Sequence, residues 1–315
     1  MDVDILTGSM FWTSVIAATV RMAVPIYLAG LGEIFCERAG VLNIGIEGQM
    51  LTGALAAFFA TYYSGSVLTG MLAGALAGLA MALLLGFLCI KRQLDQTTIG
   101  VLLNIFCLGL TSFSYRVIFG ISATPPTIPP LAAVSIPFLS NIPVLGPALF
   151  QQNLFVYAAL ISVPAAYWLL FRTSLGLDLR AAGENPRAAE TMGVNVVAMR
   201  YLGLCLCGAL AGLAGAFLSL ALLGRFVDNI TAGRGFIALA IVIFGCWKPH
   251  RVLGAALLFG FAEALQLRLQ AVGMNIPYQF MLMFPYVLTI IVLAMTSRRT
   301  FAPAALGQPY ARENE

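Results

Sequence analysis

Charge is what this sequence lacks most. Of its 315 residues, 10% are Asp, Glu, Lys or Arg, while 60% are hydrophobic. A soluble domain carries about 25% charged residues, so the water-soluble class is excluded. Lysine is nearly absent: Lys91 and Lys248 are the only two, and neither follows a glycine-rich phosphate loop. Nucleotide hydrolysis through a Walker-type motif is therefore excluded for this chain. The single histidine, His250, sits beside Trp247, Lys248, Pro249 and Arg251, with no Ser/His/Asp set or paired-carboxylate signature to join it. No catalytic residue is assigned. The six cysteines (Cys36, Cys89, Cys107, Cys205, Cys207, Cys246) show no C-x-x-C spacing and fall mostly within apolar segments, where free Cys acts as a small hydrophobe. No metal is expected. The start, Met-Asp-Val-Asp, lacks the basic residues of a cleavable signal peptide, so the first apolar segment is expected to be retained.

What is present is a set of long uncharged runs. No charge falls between Glu47 and Lys91, between Arg116 and Arg172, or between Arg268 and Arg298. About 20 apolar residues cross the hydrocarbon core, so several runs hold one span and the longest hold two. The alternating pattern of a membrane β-barrel is absent. The expected fold is an all-α polytopic bundle, a single transmembrane domain over 1–315 with about nine spans (8–10). They lie near 10–31, 42–62, 67–90, 98–118, 153–171, 197–222, 235–247, 252–267 and 279–296. Placing the 172–200 segment, which holds the loop 172–196, in the cytoplasm puts Arg172, Arg180, Arg187, Arg200, Lys91, Arg92, Lys248, Arg251, Arg298, Arg299 and Arg312 on one side. The opposite side receives Arg116, Arg225, Arg234 and Arg268. By the positive-inside rule the C-terminal tail, 297–315, is then cytoplasmic and the N-terminus external. Residues 119–152 form a Pro-rich external loop. It is either a connector or a docking surface, because proline at this density prevents a helix.

Three groups of polar residues stand out against this background. The first is an island, Arg180-Ala-Ala-Gly-Glu-Asn-Pro-Arg-Ala-Ala-Glu-Thr-Met-Gly193. Asn185 is a good N-cap and Pro186 suits the first helical position. Ala188 and Ala189 propagate the turn, and Gly193 can end it in the left-handed conformation. A short cytoplasmic helix over about 185–193 is predicted. The second is Glu33-Ile-Phe-Cys-Glu-Arg-Ala-Gly-Val-Leu-Asn-Ile-Gly-Ile-Glu-Gly48. Glu33, Glu37 and Arg38 read as a cytoplasmic turn. Asn43 and Glu47, four apart, are expected on one face of a span, in a pathway or a helix-locking role. Arg21, midway along the first span, needs Glu47 or a backbone carbonyl. The third comprises Asn104, Phe236 and Phe244. Asn104 suits either a polar solute or a staple between helices. The aromatics suit stacking on a planar ring or packing. Gly70, Gly74 and Gly78, like Gly208 and Gly212, are spaced for close helix approach.

These segments together resemble the permease subunits of ATP-binding-cassette (ABC) importers, most closely the nucleoside-type group related to branched-chain amino acid and ribose-like sugar permeases. The landmarks are Glu37-Arg-Ala-Gly-Val-Leu-Asn-Ile-Gly-Ile-Glu-Gly48, Leu175-Gly-Leu-Asp-Leu-Arg-Ala-Ala-Gly-Glu-Asn-Pro-Arg-Ala-Ala189 and Gly233-Arg-Gly-Phe-Ile-Ala-Leu-Ala240. The resemblance implies that Gly183, Glu184, Asn185, Pro186, Arg187, Ala188, Ala189 and Gly193 form the coupling helix that docks on an ATPase subunit. It further implies two ATPase domains, which bind the ATP and Mg2+ that this chain does not, a second and longer permease chain, and an external solute-binding protein. The setting would be the cytoplasmic (inner) membrane, with no role for nucleic acid. The solute implied is a nucleoside, moved by alternating access. A sugar, a purine base or a flavin-like ring stays open, as does an ion-coupled transporter, which would need titratable groups in broken helices.

Overall fold

In the computed structural model, the residues described are 9–120, 125–129, 131–135, 149–271 and 302–311, with single positions at 146, 283, 287, 290, 291 and 294. The segment expected as a ninth span, 279–296, lies largely outside them. The chain folds as α1 (Ser9–Arg38), α2 (Ile46–Ser64), α3 (Val67–Gly86, continued as a π-turn to Lys91) and α4 (Gln96–Phe119). Two short strands follow, β1 (Val134–Ser135) and β2 (Gln151–Gln152). Then come α5 (Leu154–Arg172), α6 (Ser174–Glu184), α7 (Pro186–Thr191), α8 (Val196–Phe217, with a π-turn to Leu222), α9 (Arg234–Phe244) and α10 (Pro249–Ala271).

Six of these helices are long and apolar enough to cross a membrane: α1, α3, α4, α5, α8 and α10. This is a multi-pass membrane protein. The count of nine is not reached among the described residues, and two helices show why. The α9 helix has 11 residues, about 16 Å at 1.5 Å per residue, against a hydrocarbon core of about 30 Å. The α2 helix has 19 residues but carries Glu47, Gln49, Thr52 and Thr61, all buried. Its low hydropathy goes with its position, since α2 is enclosed by α3, α8, α4 and α9. A helix surrounded by protein need not be oily. The outer helices show the reverse. On α3, Leu68, Leu72 and Leu76 recur every fourth residue and are exposed, as are Leu102, Ile105 and Phe106 on α4.

Glycines set the central crossing. A Cβ on Gly53 would lie 2.5 Å from the Gly212 Cα, and one on Gly74 would lie 3.0 Å from the Ala216 Cβ. The α2, α3 and α8 backbones therefore touch where the small-residue spacing predicts.

Loops group at two ends. At one end Gln96 accepts from the Leu42 N–H (2.7 Å), Arg38 pairs with Glu184 (3.7 Å), and Ala305 N–H donates to Gly183 (2.9 Å). At the other, Arg116 pairs with Asp228 (3.2 Å), Ile128 N–H donates to Gly224 (2.8 Å), and β1 pairs antiparallel with β2.

Candidate functional site

Two polar regions lie on this frame: a buried seam at the α1–α2 break and an exposed corner around α7. The seam begins where α1 ends. Gly40 takes φ +87°, a conformation that stops the helix. Residues 41–45 then run without helix into the bundle, and α2 starts at Ile46. There Asn104 donates to the Ile44 carbonyl and accepts from Gly48 N–H, both 2.8 Å. Asn104 is eight residues into α4, so α2 begins about 12 Å inside the end of that helix. Irregular backbone at this depth survives only where protein satisfies its polar groups. Here named side chains do so.

Glu33 lies fully buried on α1 and accepts from the Asn43 N–H (3.0 Å). Asn43 in turn exchanges hydrogen bonds with Gln49 (2.9 and 3.3 Å), and the Cys207 thiol donates to Glu33 (3.2 Å). Glu37 is also buried and accepts from the Trp247 indole N–H. The reading of Glu33 and Glu37 as an open cytoplasmic turn is therefore corrected. The α1 helix continues through both residues; Trp247 of the α9–α10 connection covers Glu37, and Asn43 and Cys207 meet Glu33. Asn43 and Glu47 do not share a helical face either, because Asn43 lies in the extended stretch before α2.

Glu47 makes a separate set of bonds. Its Oε1 accepts from the Thr231 hydroxyl (2.5 Å) and Gly233 N–H (2.7 Å), and its Oε2 from Gly235 N–H (2.6 Å). A carboxylate thus caps the first turn of α9, whose leading N–H groups lack partners within the helix and carry the positive end of its dipole. Gly235 is required at this contact: a Cβ there would lie 2.6 Å from a Glu47 oxygen. The segment before α9 is a run of turns with Asn229 and Ala232 at positive φ, so α9 starts inside the bundle as a half-length helix. Arg234 pairs with Glu263 of α10. Phe244 stacks on Phe259 at 6.2 Å, whereas Phe236 is exposed. Arg21 is exposed and donates to the Ala17 carbonyl (3.2 Å), the backbone partner of the two that the sequence allowed.

At the corner, the Asn185 side chain accepts from Ala188 N–H (3.1 Å), Pro186 occupies the first turn, and Gly193 sits at φ +87°. Arg187, Ala188, Thr191 and Met192 are exposed, Met192 to 84%. Ala189 points inward onto Ala182 and Val196, a small core apart from the main one. Gly183 allows α6 to lie against the backbone of Arg38 and Gly40. Sequence reasoning missed α6 itself, whose buried Gly176, Leu179, Ala182 and Gly183 follow helical spacing and whose Thr173 caps Gly176 N–H at 3.1 Å. Nearby, hydrogen bonds from the Thr98 hydroxyl and N–H hold the Asp95 carboxyl below its ordinary value at the start of α4.

The family model for the permease component of branched-chain amino acid transport systems matches residues 15–293. Among curated proteins, the chain is 40% identical to TsgC13 of Haloferax volcanii, a permease protein assigned provisionally to a glucose ABC transporter, over 96% of this chain and 99% of that one. It is 38% identical to the guanosine ABC transporter permease protein NupQ of Bacillus subtilis, over 95% and 96%. It is 35% identical to the nucleoside ABC transporter permease protein NupC of Lactococcus lactis, over 95% and 96%. A second guanosine permease protein of Bacillus subtilis, NupP, is 28% identical, and the match covers 71% of that longer chain. Among solved structures, an ABC transporter assigned provisionally to the metal-chelate type, in an inward-facing conformation, superposes with a TM-score of 0.51 at 16% identity, over 90% of this chain and 85% of that one. That likeness concerns the fold alone.

Proposed function

The chain belongs to the family of branched-chain amino acid transport permeases, and on that premise we propose that it is an ABC importer permease moving nucleosides across the inner membrane. Two relatives above 30% identity are named for guanosine or nucleoside transport. The observation that carries the mechanism is α7: a capped, preorganised helix held between two spans, with its outer face open. In this reading α7 is the coupling helix. Gly183, Glu184, Asn185, Pro186, Arg187, Ala188, Ala189 and Gly193 build or present it to an ATPase subunit, which holds ATP and Mg2+. ATP-driven movement of that subunit rocks the bundle between outward- and inward-open states. The end carrying α7 and the C-terminal segment then faces the cytoplasm. The opposite end, with 125–129, 131–135 and 224–234, faces the solute-binding protein; most of the rest of the 119–152 loop lies outside the described residues. Because NupP is the longer of two guanosine permease proteins in one organism and matches only in part, the second permease is read as a different, longer chain.

The pathway assignment narrows. The carboxylate of Glu47 and the amides of Asn43 and Asn104 bond within the protein, which supports the locking role over solute binding. Phe236, exposed on α9, remains the candidate lining residue; Phe244 stacks inside.

The test is ATP hydrolysis by the purified assembly with its binding protein, comparing the native chain with Glu184→Ala/Pro186→Gly. Loss of solute-stimulated hydrolysis in a folded assembly is expected. Unchanged stimulation would reduce α7 to an ordinary loop. Glucose is the second reading, favoured by the 40% identity to TsgC13. Uptake of labelled guanosine competed by unlabelled guanosine, but not by glucose, supports the nucleoside reading, and the reverse pattern overturns it.

A further inference from the structure

The C-terminal segment 302–311 is not a free tail. Its backbone returns to the corner and closes it from the side opposite α7. Ala305 N–H donates to Gly183 (2.9 Å), Gly307 N–H to Gly40 (3.2 Å), and Ala304 N–H to the Glu184 carboxylate (3.3 Å). Arg200, 2% exposed on α8, donates to the Gln308 carbonyl (2.9 Å) and lays its guanidinium 5.6 Å from the Tyr310 ring centre. The Tyr310 hydroxyl donates to Glu190 of α7, and the ring packs on the small core of Ala182, Ala189 and Val196. Burying a cation with few partners is expensive, so Arg200 reads as a part whose place requires this segment.

Two walls result. One is the start of α7; the other is 304–311. Between them is a cleft of about 500 Å³ lined by Glu184, Pro186, Arg187, Gln308, Pro309 and Tyr310. Arg187, Gln308 and Pro309 are exposed along it. The cleft is continuous with the face of α7 read above as the coupling surface, and the same tyrosine ties both walls together. We propose that residues 302–311 form the second wall of the docking surface for the ATPase subunit, which therefore enters the cleft rather than touching α7 alone. This inference rests on the coupling-helix reading and adds a contact to it. Its mechanical consequence is that a push on either wall reaches α8 through Arg200 and the end of α1 through Gly40.

Site-specific photo-crosslinking in the assembled importer tests it without removing the segment. Benzoylphenylalanine is placed in turn at Arg187, Pro309 and, on the lipid-facing side of α3, Leu72. Capture of the ATPase subunit from Arg187 and Pro309, with none from Leu72, is the expected result. Capture from Arg187 but not Pro309 overturns the second wall and leaves the coupling helix standing. Capture from neither overturns both. In a second measurement, Tyr310→Phe keeps the ring beneath Arg200 and removes the hydroxyl's bond to Glu190. Solute-stimulated hydrolysis is expected to fall about fivefold, the worth of one hydrogen bond linking the walls. Stimulation equal to the native level in a normally folded assembly would count against the link.

Discussion

The buried seam and the α7 corner are both made from a break between helices and a side chain that caps the next one, yet they use them in opposite ways. In the seam, Glu47 lies 5% exposed and accepts three hydrogen bonds from 231–235, a segment more than 180 residues away in sequence. At the corner, Asn185 closes a cap three residues from itself, while Arg187 and Met192 face outward. Inside the bundle, an unpartnered polar group costs several kcal/mol, so each must find a partner within the protein and becomes a lock. At the water-facing end no such demand exists, and side chains such as Arg187 and Met192 stay exposed on the surface. Polarity in this chain therefore occurs in two settings, which burial tells apart.

The largest expected effect comes from breaking the seam at Glu47. Glu47→Ala leaves the Thr231 hydroxyl and the Gly233 and Gly235 N–H groups without their acceptor, at about 1–3 kcal/mol each. A loss of about 3 kcal/mol or more is expected, seen as a lower melting temperature in detergent and reduced folded yield. The comparison breaks if Glu47→Ala folds and melts like the native chain but no longer transports solute. Glu47 would then belong to the pathway.

Asn104→Leu is the intermediate case. The side chain is replaced at similar volume, and the Ile44 carbonyl and Gly48 N–H lose their partner. About 2 kcal/mol of destabilisation is expected, with transport by the folded fraction keeping its native KM. A raised KM at unchanged melting temperature would instead make Asn104 a solute contact. The two readings of this residue separate cleanly because stability and KM move independently.

How far the sequence carried depends on the range of the interaction. The Asn185 cap, Pro186 and Gly193 are local signals spanning nine residues, and they were legible. So was the glycine spacing that brings α3 onto α8. The burial of Glu33 and Glu37 was not, because Glu37 meets Trp247 across 210 positions and no local pattern encodes that. Arg200 read as a cytoplasmic charge; its partner carbonyl is 108 residues on. Asn43 and Glu47 were placed on one face by assuming an unbroken helix, which Gly40 and Gly45 prevent. The span count, six among the described residues against about nine expected, turns on a different signal. Hydropathy detects lipid contact, so it registers α3 and α4 clearly but is ambiguous for α2, which is surrounded by protein, and for α9, which is too short.

The smallest effect tests the corner at its cap. Asn185→Ala removes the side-chain oxygen that accepts from Ala188 N–H, a change worth about 1 kcal/mol in helix stability, whereas Asn185→Gly costs only a few tenths. Asn185 is exposed and lies outside both cores, so global melting should move little in either variant. If α7 must be formed to receive the ATPase, a loss of 1 kcal/mol lowers the competent population about fivefold. Solute-stimulated hydrolysis should then rank native, Asn185→Gly, Asn185→Ala. An Asn185→Ala assembly as active as the native one would show that the ATPase folds α7 as it binds, at no measurable expense. An equal loss in both variants would assign the Asn185 side chain a direct contact with the partner, since a cap alone distinguishes glycine from alanine.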